Sequence, residues 1–207
     1  MWLLGYKDSA HPILSLPELA GRRGLISAAD ADTFGIWRTY LPACAQSGLL
    51  VRVARGVYGL PGQKHSRAAI ACKCVRRGVL CLLSALHIHR LVPREPRTVW
   101  MAISPKSRKA RIEFPIRFVR FSGRALSGGI EHIELFGVPT LRVYSLEKTI
   151  ADCFKFRHSI SPRIPVAALR QALRQGRCNL NLLREFAAIC RVGRLVEPYL
   201  DQTIRAR

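Results

Sequence analysis

Apolar positions between Leu16 and Leu60 follow a helical spacing first and an extended one later. A short helical stretch runs from Leu16 to about Arg22, and Gly24 interrupts it. Ser27 is then a candidate N-cap for a helix carrying Ala28, Ala29, Ala31 and Phe34. Gly35 ends that helix and Ile36 follows as an apolar pin. A second helical pattern runs to Ser47, with Leu41, Cys44 and Ala45 on one face. Pro42 requires that this helix either bends or starts late, with Thr39 as N-cap and the proline in the first turn, where its missing N–H does no harm. Gly48 stops the helix. Leu49–Val53 and Val57–Leu60 are two short β-rich runs separated by Ala54, Arg55 and Gly56, and Pro61-Gly62 closes the unit. Two helices joined by a glycine turn and followed by a hairpin predict a winged helix-turn-helix.

Beyond residue 62 the pattern changes. Residues 66–77 read as a helix that packs through Ala68, Ile70, Ala71, Cys74 and Val75 and turns Arg67, Lys73, Arg76 and Arg77 to solvent. A second helix spans about Leu80 to His89. Strands are predicted at Val99–Ile103, Ile116–Phe121, His132–Leu135 and Thr140–Val143, with Gly137 at a turn between the last two. Ser145 is a natural N-cap for a helix with Leu146, Ile150, Cys153 and Phe154 on its apolar side. Three more helical patterns close the chain at Val166–Gln175, Leu180–Cys190, capped by Asn179, and Gly193 to about Ile204. Leu169, Leu173, Leu182, Leu183, Phe186, Ile189 and Leu195 should pack them on the sheet. The expected fold class is α+β. Residues 1–62 form a winged helix-turn-helix DNA-binding domain, and residues 63–207 form a mixed α/β domain with a small, mainly antiparallel sheet and C-terminal helices.

Charge changes this picture most. Among 207 residues, 34 are Lys or Arg and 13 are Asp or Glu, a formal net charge of +21. Such a chain seeks polyanions: DNA or RNA first, because neutralised phosphates release condensed counterions, with an anionic membrane surface as the rival. The excess is uneven. Residues 1–62 hold 6 basic and 4 acidic residues, residues 63–125 hold 15 and 2, and residues 126–207 hold 13 and 7. No run of about 18 uncharged apolar residues occurs, and Met1 to Pro17 lacks the basic flank and cleavage pattern of a leader. A cytoplasmic protein without a membrane partner is expected. The seven cysteines, an odd number on apolar helix faces, read as reduced core thiols without disulfides.

In the docking mode of a winged helix-turn-helix, the second helix enters the major groove N-terminus first. Trp37, Arg38, Thr39 and Tyr40 would then meet base edges or flanking phosphates, with Gln46 further along, and Arg52 and Arg55 on the wing. A bidentate contact from Arg38 to a guanine would contribute about 1–3 kcal/mol of discrimination; Trp37 and Tyr40 could instead be core aromatics. The loop Pro105–Arg111 carries Lys106, Arg108, Lys109 and Arg111, either as phosphate contacts or as an inert solvated stretch. Lys148, Asp152 and Lys155 form the polar face of the helix after Ser145, where Lys148 and Asp152, four apart, can pair.

Other chemistry is expected to be absent. Cys72, Cys74, Cys81, His87 and His89 lack a paired C-x-x-C spacing, and cysteines at i and i+2 of a helix point apart, so neither a metal site nor a cofactor is expected. Glu113, Glu131, Glu134 and Glu147 show no compact arrangement of the kind a metal-dependent nuclease needs. A non-enzyme is therefore expected. The alternatives are a basic nucleic-acid-associated interaction module without operator specificity, whose middle segment does the binding, and a nuclease.

The run GIWRTYLPACAQSGLLVRVARGVYGLP resembles the N-terminal domain of AbiEi-type antitoxins of type IV toxin–antitoxin systems, most closely from Leu50 to Leu60. CLLSALHIHRL (81–91) and YSLEKTIADCFKFR (144–157) are similar to segments of that family's C-terminal domain, so the resemblance runs from about residue 16 to about residue 190. The recognition helix departs from the family in offering Pro42, Ala43 and Gln46 where more arginine is usual. The resemblance implies a repressor that binds inverted repeats of double-stranded DNA in its own operator, as a monomer in solution or a dimer on DNA. It also implies an antitoxin that counteracts a nucleotidyltransferase-like toxin without a stable complex. The antitoxic effect would lie in the C-terminal domain, with Lys148, Asp152 and Lys155 as its candidate surface.

Overall fold

A computed structural model describes residues 12–135 and 138–205. Most of the span Met1–Pro17 and the turn at Gly137 therefore lie outside the described residues. The chain forms two compact units, one made of the residues up to Cys74 together with 134–139 and the other of the remainder from Val75.

The first unit runs in the order α1 (Pro12–Arg23), β1 (Leu25–Ser27), α2 (Ala28–Thr33), α3 (Tyr40–Gln46), β2 (Val51–Ala54), β3 (Val57–Gly59) and α4 (Arg67–Cys74). Its sheet has the order β1-β3-β2 and is antiparallel throughout, with Ile26 opposite Tyr58 and Tyr58 opposite Arg52. β1 was not anticipated: three residues between Gly24 and a helix cap are too few to show a period. Gly24 adopts φ +65°, which turns the chain from α1 into the strand. Leu16, Ala20, Ile26, Ala31, Ile36, Leu41, Cys44, Leu50 and Tyr58 make the core.

Asp30 knots this unit together. Its carboxylate accepts from the backbone N–H (2.8 Å) and the hydroxyl (2.6 Å) of Ser27 at the start of α2, and from Lys73 Nζ at 3.0 Å on α4. Lys73, expected in solvent, is instead largely covered, because its ammonium follows this carboxylate. Burial pushes the Asp30 carboxyl up, yet the Ser27 hydrogen bond and the Lys73 ammonium together outweigh it and hold the group below its ordinary value.

The second unit contains β4 (Val79–Leu80), α5 (Leu82–Ile88), β5 (Val99–Ile103), β6 (Ile116–Arg120), α6 (Arg124–Ser127) and, outside residues 134–139, β7 (Ile130–Leu135) and β8 (Val138–Tyr144). The helices α7 (Leu146–Lys155), α8 (Arg157–Ile160), α9 (Arg163–Arg174), α10 (Leu180–Ile189) and α11 (Gly193–Arg205) follow. The sheet order is β6-β5-β4-β8-β7. β5 pairs with β6 in parallel, β4 pairs with β8 in parallel, and β4 with β5 is antiparallel. The expected mainly antiparallel sheet is thus corrected to a mixed one. Adjacent parallel strands need a crossover of about a dozen residues, and residues 104–115, read as a simple loop, are that crossover.

Ser145 caps α7, accepting from the Lys148 N–H at 3.3 Å, and Asn179 caps α10, accepting from Asn181 and Leu182. α7 lies among α5, α9 and α10, so residues Leu146 to Phe154 are all buried. Leu182, expected in the core, is 41% exposed, while its neighbour Leu183 is fully buried.

Candidate nucleic-acid interface

α3 begins at Tyr40 with Thr39 as its N-cap, so Pro42 falls in the first turn and no bend is needed. Trp37, Arg38 and Thr39 therefore precede the helix instead of lying on it. They form a turn closed by Tyr40 N–H to Trp37 O at 3.0 Å. Ile36 anchors that turn in the core, its N–H on Ala31 O at 2.9 Å.

The consequences differ residue by residue. Trp37 is 75% exposed, and Tyr40 is half-buried against the core. Arg38 is exposed, and its Nη2 lies 2.9 Å from Asp32 Oδ2, an exposed partner that sequence reasoning missed. Leu41 and Cys44 hold α3 in the core, which leaves Pro42, Ala43 and Gln46 on its outer side. Arg52 and Arg55 are exposed on the hairpin. Gly56 allows the tip with φ +72°, and the register shifts between Arg52 and Ala54. Arg52 Nε reaches Ala54 O at 3.4 Å.

In the second unit, Lys106, Arg108, Lys109 and Arg111 are positioned on the crossover, where Lys106, Arg108 and Lys109 lie in an open, solvated stretch and Arg111 follows them. Arg120 of β6 fixes the start of this segment by donating from Nη1 to the carbonyls of Ser104, Pro105 and Ser107.

The polar residues of α7 are a correction. Lys148 and Asp152 do pair, at 2.5 Å, but both side chains are 0% exposed, so they form no surface. The helix is wrapped on several sides by other helices, and its polar side faces inward. Lys148 Nζ sits 4.3 Å from the Tyr144 ring centre and 4.7 Å from that of Phe121, and Asp152 also accepts from Cys190 Sγ at 3.1 Å. Burial pushes the Asp152 carboxyl up more than the Lys148 ammonium draws it down, and it pushes the Cys190 thiol up to about 12. Lys155 alone of the three is exposed. Glu147 is buried and accepts from Asn179 N–H at 2.9 Å, which fixes the start of α10.

Helix pair, turn, exposed arginines and hairpin all fall within one stretch of sequence. Residues 15–61 match the AbiEi antitoxin family of transcriptional regulators. The AbiEi match supports an antitoxin-type transcriptional-regulator role for the chain, with DNA binding and a toxin–antitoxin setting. No curated protein matches the sequence. Among solved structures, the RV2827C protein from Mycobacterium tuberculosis is similar with a TM-score of 0.52 at 14% identity, over 84% of this chain and 70% of that one. That likeness is one of fold. Among the described residues, no helix is long and apolar enough to cross a membrane.

Proposed function

We propose that the chain is an autoregulator that binds inverted repeats in its own promoter through a winged helix-turn-helix in its first unit. The observation that carries this reading is the β1-β3-β2 sheet, with α2 and α3 preceding its hairpin, inside the segment that matches the AbiEi family. In this reading the turn before α3 meets the major groove with Trp37, Arg38 and Thr39, Tyr40 joins them from the first position of α3, Gln46 lies further along the helix, and Arg52 and Arg55 of the wing meet phosphates. Arg38 exchanges Asp32 for DNA. Lys106, Arg108, Lys109 and Arg111 add contacts to the backbone that carry no sequence information. The second unit carries the antitoxic role, with Lys155 on its surface, against a nucleotidyltransferase-like toxin and without a stable complex. The protein works in the cytoplasm and without catalysis, on one operator as a dimer or as separate monomers.

Gel retardation on the DNA upstream of the gene, with excess random-sequence competitor, tests the reading. The wild type is expected to give a competitor-resistant band that Arg38→Ala with Arg55→Ala abolishes. Retention of that band by the double variant would sink the assignment of the first unit as reader. Its loss on substituting Lys106, Arg108 and Lys109 alone would favour the rival, a basic module that binds through its middle segment.

A further inference from the structure

A cleft of about 750 Å³ opens in the second unit, where β4, β7 and β8 meet the crossover and α6. Three cationic residues line it from separate elements: Arg77 just before β4, Lys106 on the crossover and Arg142 on β8. No carboxylate stands with them among the described lining residues. The serines Ser104, Ser107 and Ser127 add hydroxyls to the wall, and Val79, Leu126 and Ile130 supply an apolar floor.

The walls are held by contacts within the unit. Arg120 gathers the carbonyls of Ser104, Pro105 and Ser107, which fixes the stretch that bears Lys106. Arg142 Nη1 donates to Arg76 O at 3.4 Å, beside Arg77, and Tyr144 Oη donates to Leu126 O at 2.8 Å, which fixes the floor. Like charges lining one cleft without a counter-charge repel, modestly where water reaches them, and a multiply charged anion relieves that repulsion. A volume within the usual range for small-molecule pockets, about 300–1,000 Å³, suits a compact ligand.

We propose that this cleft binds a nucleotide, with its phosphates among Arg77, Lys106 and Arg142 and its base on Val79, Leu126 and Ile130. One ligand must bring several negative charges and a flat apolar ring into the same space, and a nucleoside di- or triphosphate does both. A nucleic-acid strand offers the same chemistry one phosphate at a time, so the test separates the two. The site lies within the second unit and stands whether or not the first unit reads an operator.

Calorimetric titration of the full chain with ATP, adenosine and a twelve-residue oligothymidylate decides the matter. ATP is expected to bind saturably at one site, and adenosine at least tenfold more weakly. Arg77→Ala with Arg142→Ala should weaken ATP at least tenfold while the thermal unfolding midpoint stays near the wild type's. Arg170→Ala with Arg174→Ala removes the same charge from exposed positions on α9 and should leave ATP binding within twofold. The proposal is overturned by the absence of saturable ATP binding, or by equal losses in the two double variants. Oligothymidylate binding that needs Arg77 and Arg142 where ATP gives none would assign the cleft to a strand and overturn it as well.

Discussion

Lys148 is held by one carboxylate and two aromatic faces in a space that excludes water. A buried ion pair gains little over a well-packed apolar pair, but removing one partner leaves an uncompensated charge and is expected to cost about 3–5 kcal/mol. Lys148→Met should therefore lower stability by about that amount in denaturant unfolding at pH 7. It should also change the pH dependence. Burial already pushes the Asp152 carboxyl above its ordinary value, and without the ammonium only the Cys190 hydrogen bond and the Lys155 charge oppose that push. A carboxyl raised in the folded state makes its favourable contribution below its unfolded value and loses it as pH rises through the folded one. The stability of Lys148→Met should thus recover in part on acidification, whereas a variant equally destabilised by a cavity elsewhere should not recover. A pH-independent deficit would mean that Asp152 is not the strained group.

Helices α1, α2 and α4 and strand β1 meet at Asp30, through Arg23, Asp30 itself, Lys73 and Ser27, so this one carboxylate acts on four elements at once. Asp30→Ala removes hydrogen bonds to a charged group and leaves Lys73 largely covered without its partner, an expected loss of about 2 kcal/mol in equilibrium unfolding. Because the Asp30 carboxyl is held below its ordinary value, its contribution is present above that value, near 3.8, and is lost as pH falls through the folded one. Asp30→Asn should accordingly flatten the acid limb of the first unit's stability, followed by amide exchange of α2 residues. An unchanged acid limb would contradict this. The same elements mark how far the sequence could be read. Helical spacing and caps exposed α2, α7 and α10, because Ser27, Ser145 and Asn179 act locally. β1 was invisible because its pairing with β3 is remote, and the late start of α3 was one of two options that Pro42 left open. Lys148 and Asp152 were legible as a pair, yet a helix's own pattern does not tell which neighbours will enclose it. The Arg77 and Arg142 cleft was not legible at all, since 65 residues separate its two arginines and only the β4–β8 pairing brings their strands together.

The charge of the whole molecule bears on the selectivity proposed for it. Residues 63–125 carry 15 basic against 2 acidic residues, far more excess than the 6 against 4 of residues 1–62, so most of the cationic excess that would attract DNA lies outside the segment that matches a regulator family. Each phosphate neutralised on duplex DNA steepens the fall of log affinity with log salt by about 0.9. Replacing Lys106, Arg108, Lys109 and Arg111 by alanine is therefore expected to flatten the salt dependence of binding to random-sequence DNA by up to about 3.6, if each side chain neutralises one phosphate. The ratio of operator to random affinity should rise or stay constant, because phosphate-binding side chains position a protein without reading sequence. Arg38→Ala should do the opposite, lowering that ratio while changing the salt slope by about 0.9 or less. If the crossover variant instead abolished the ratio and kept the slope, these four side chains would be reading bases. The division between a weakly charged reader and a strongly charged body would then have to be reversed.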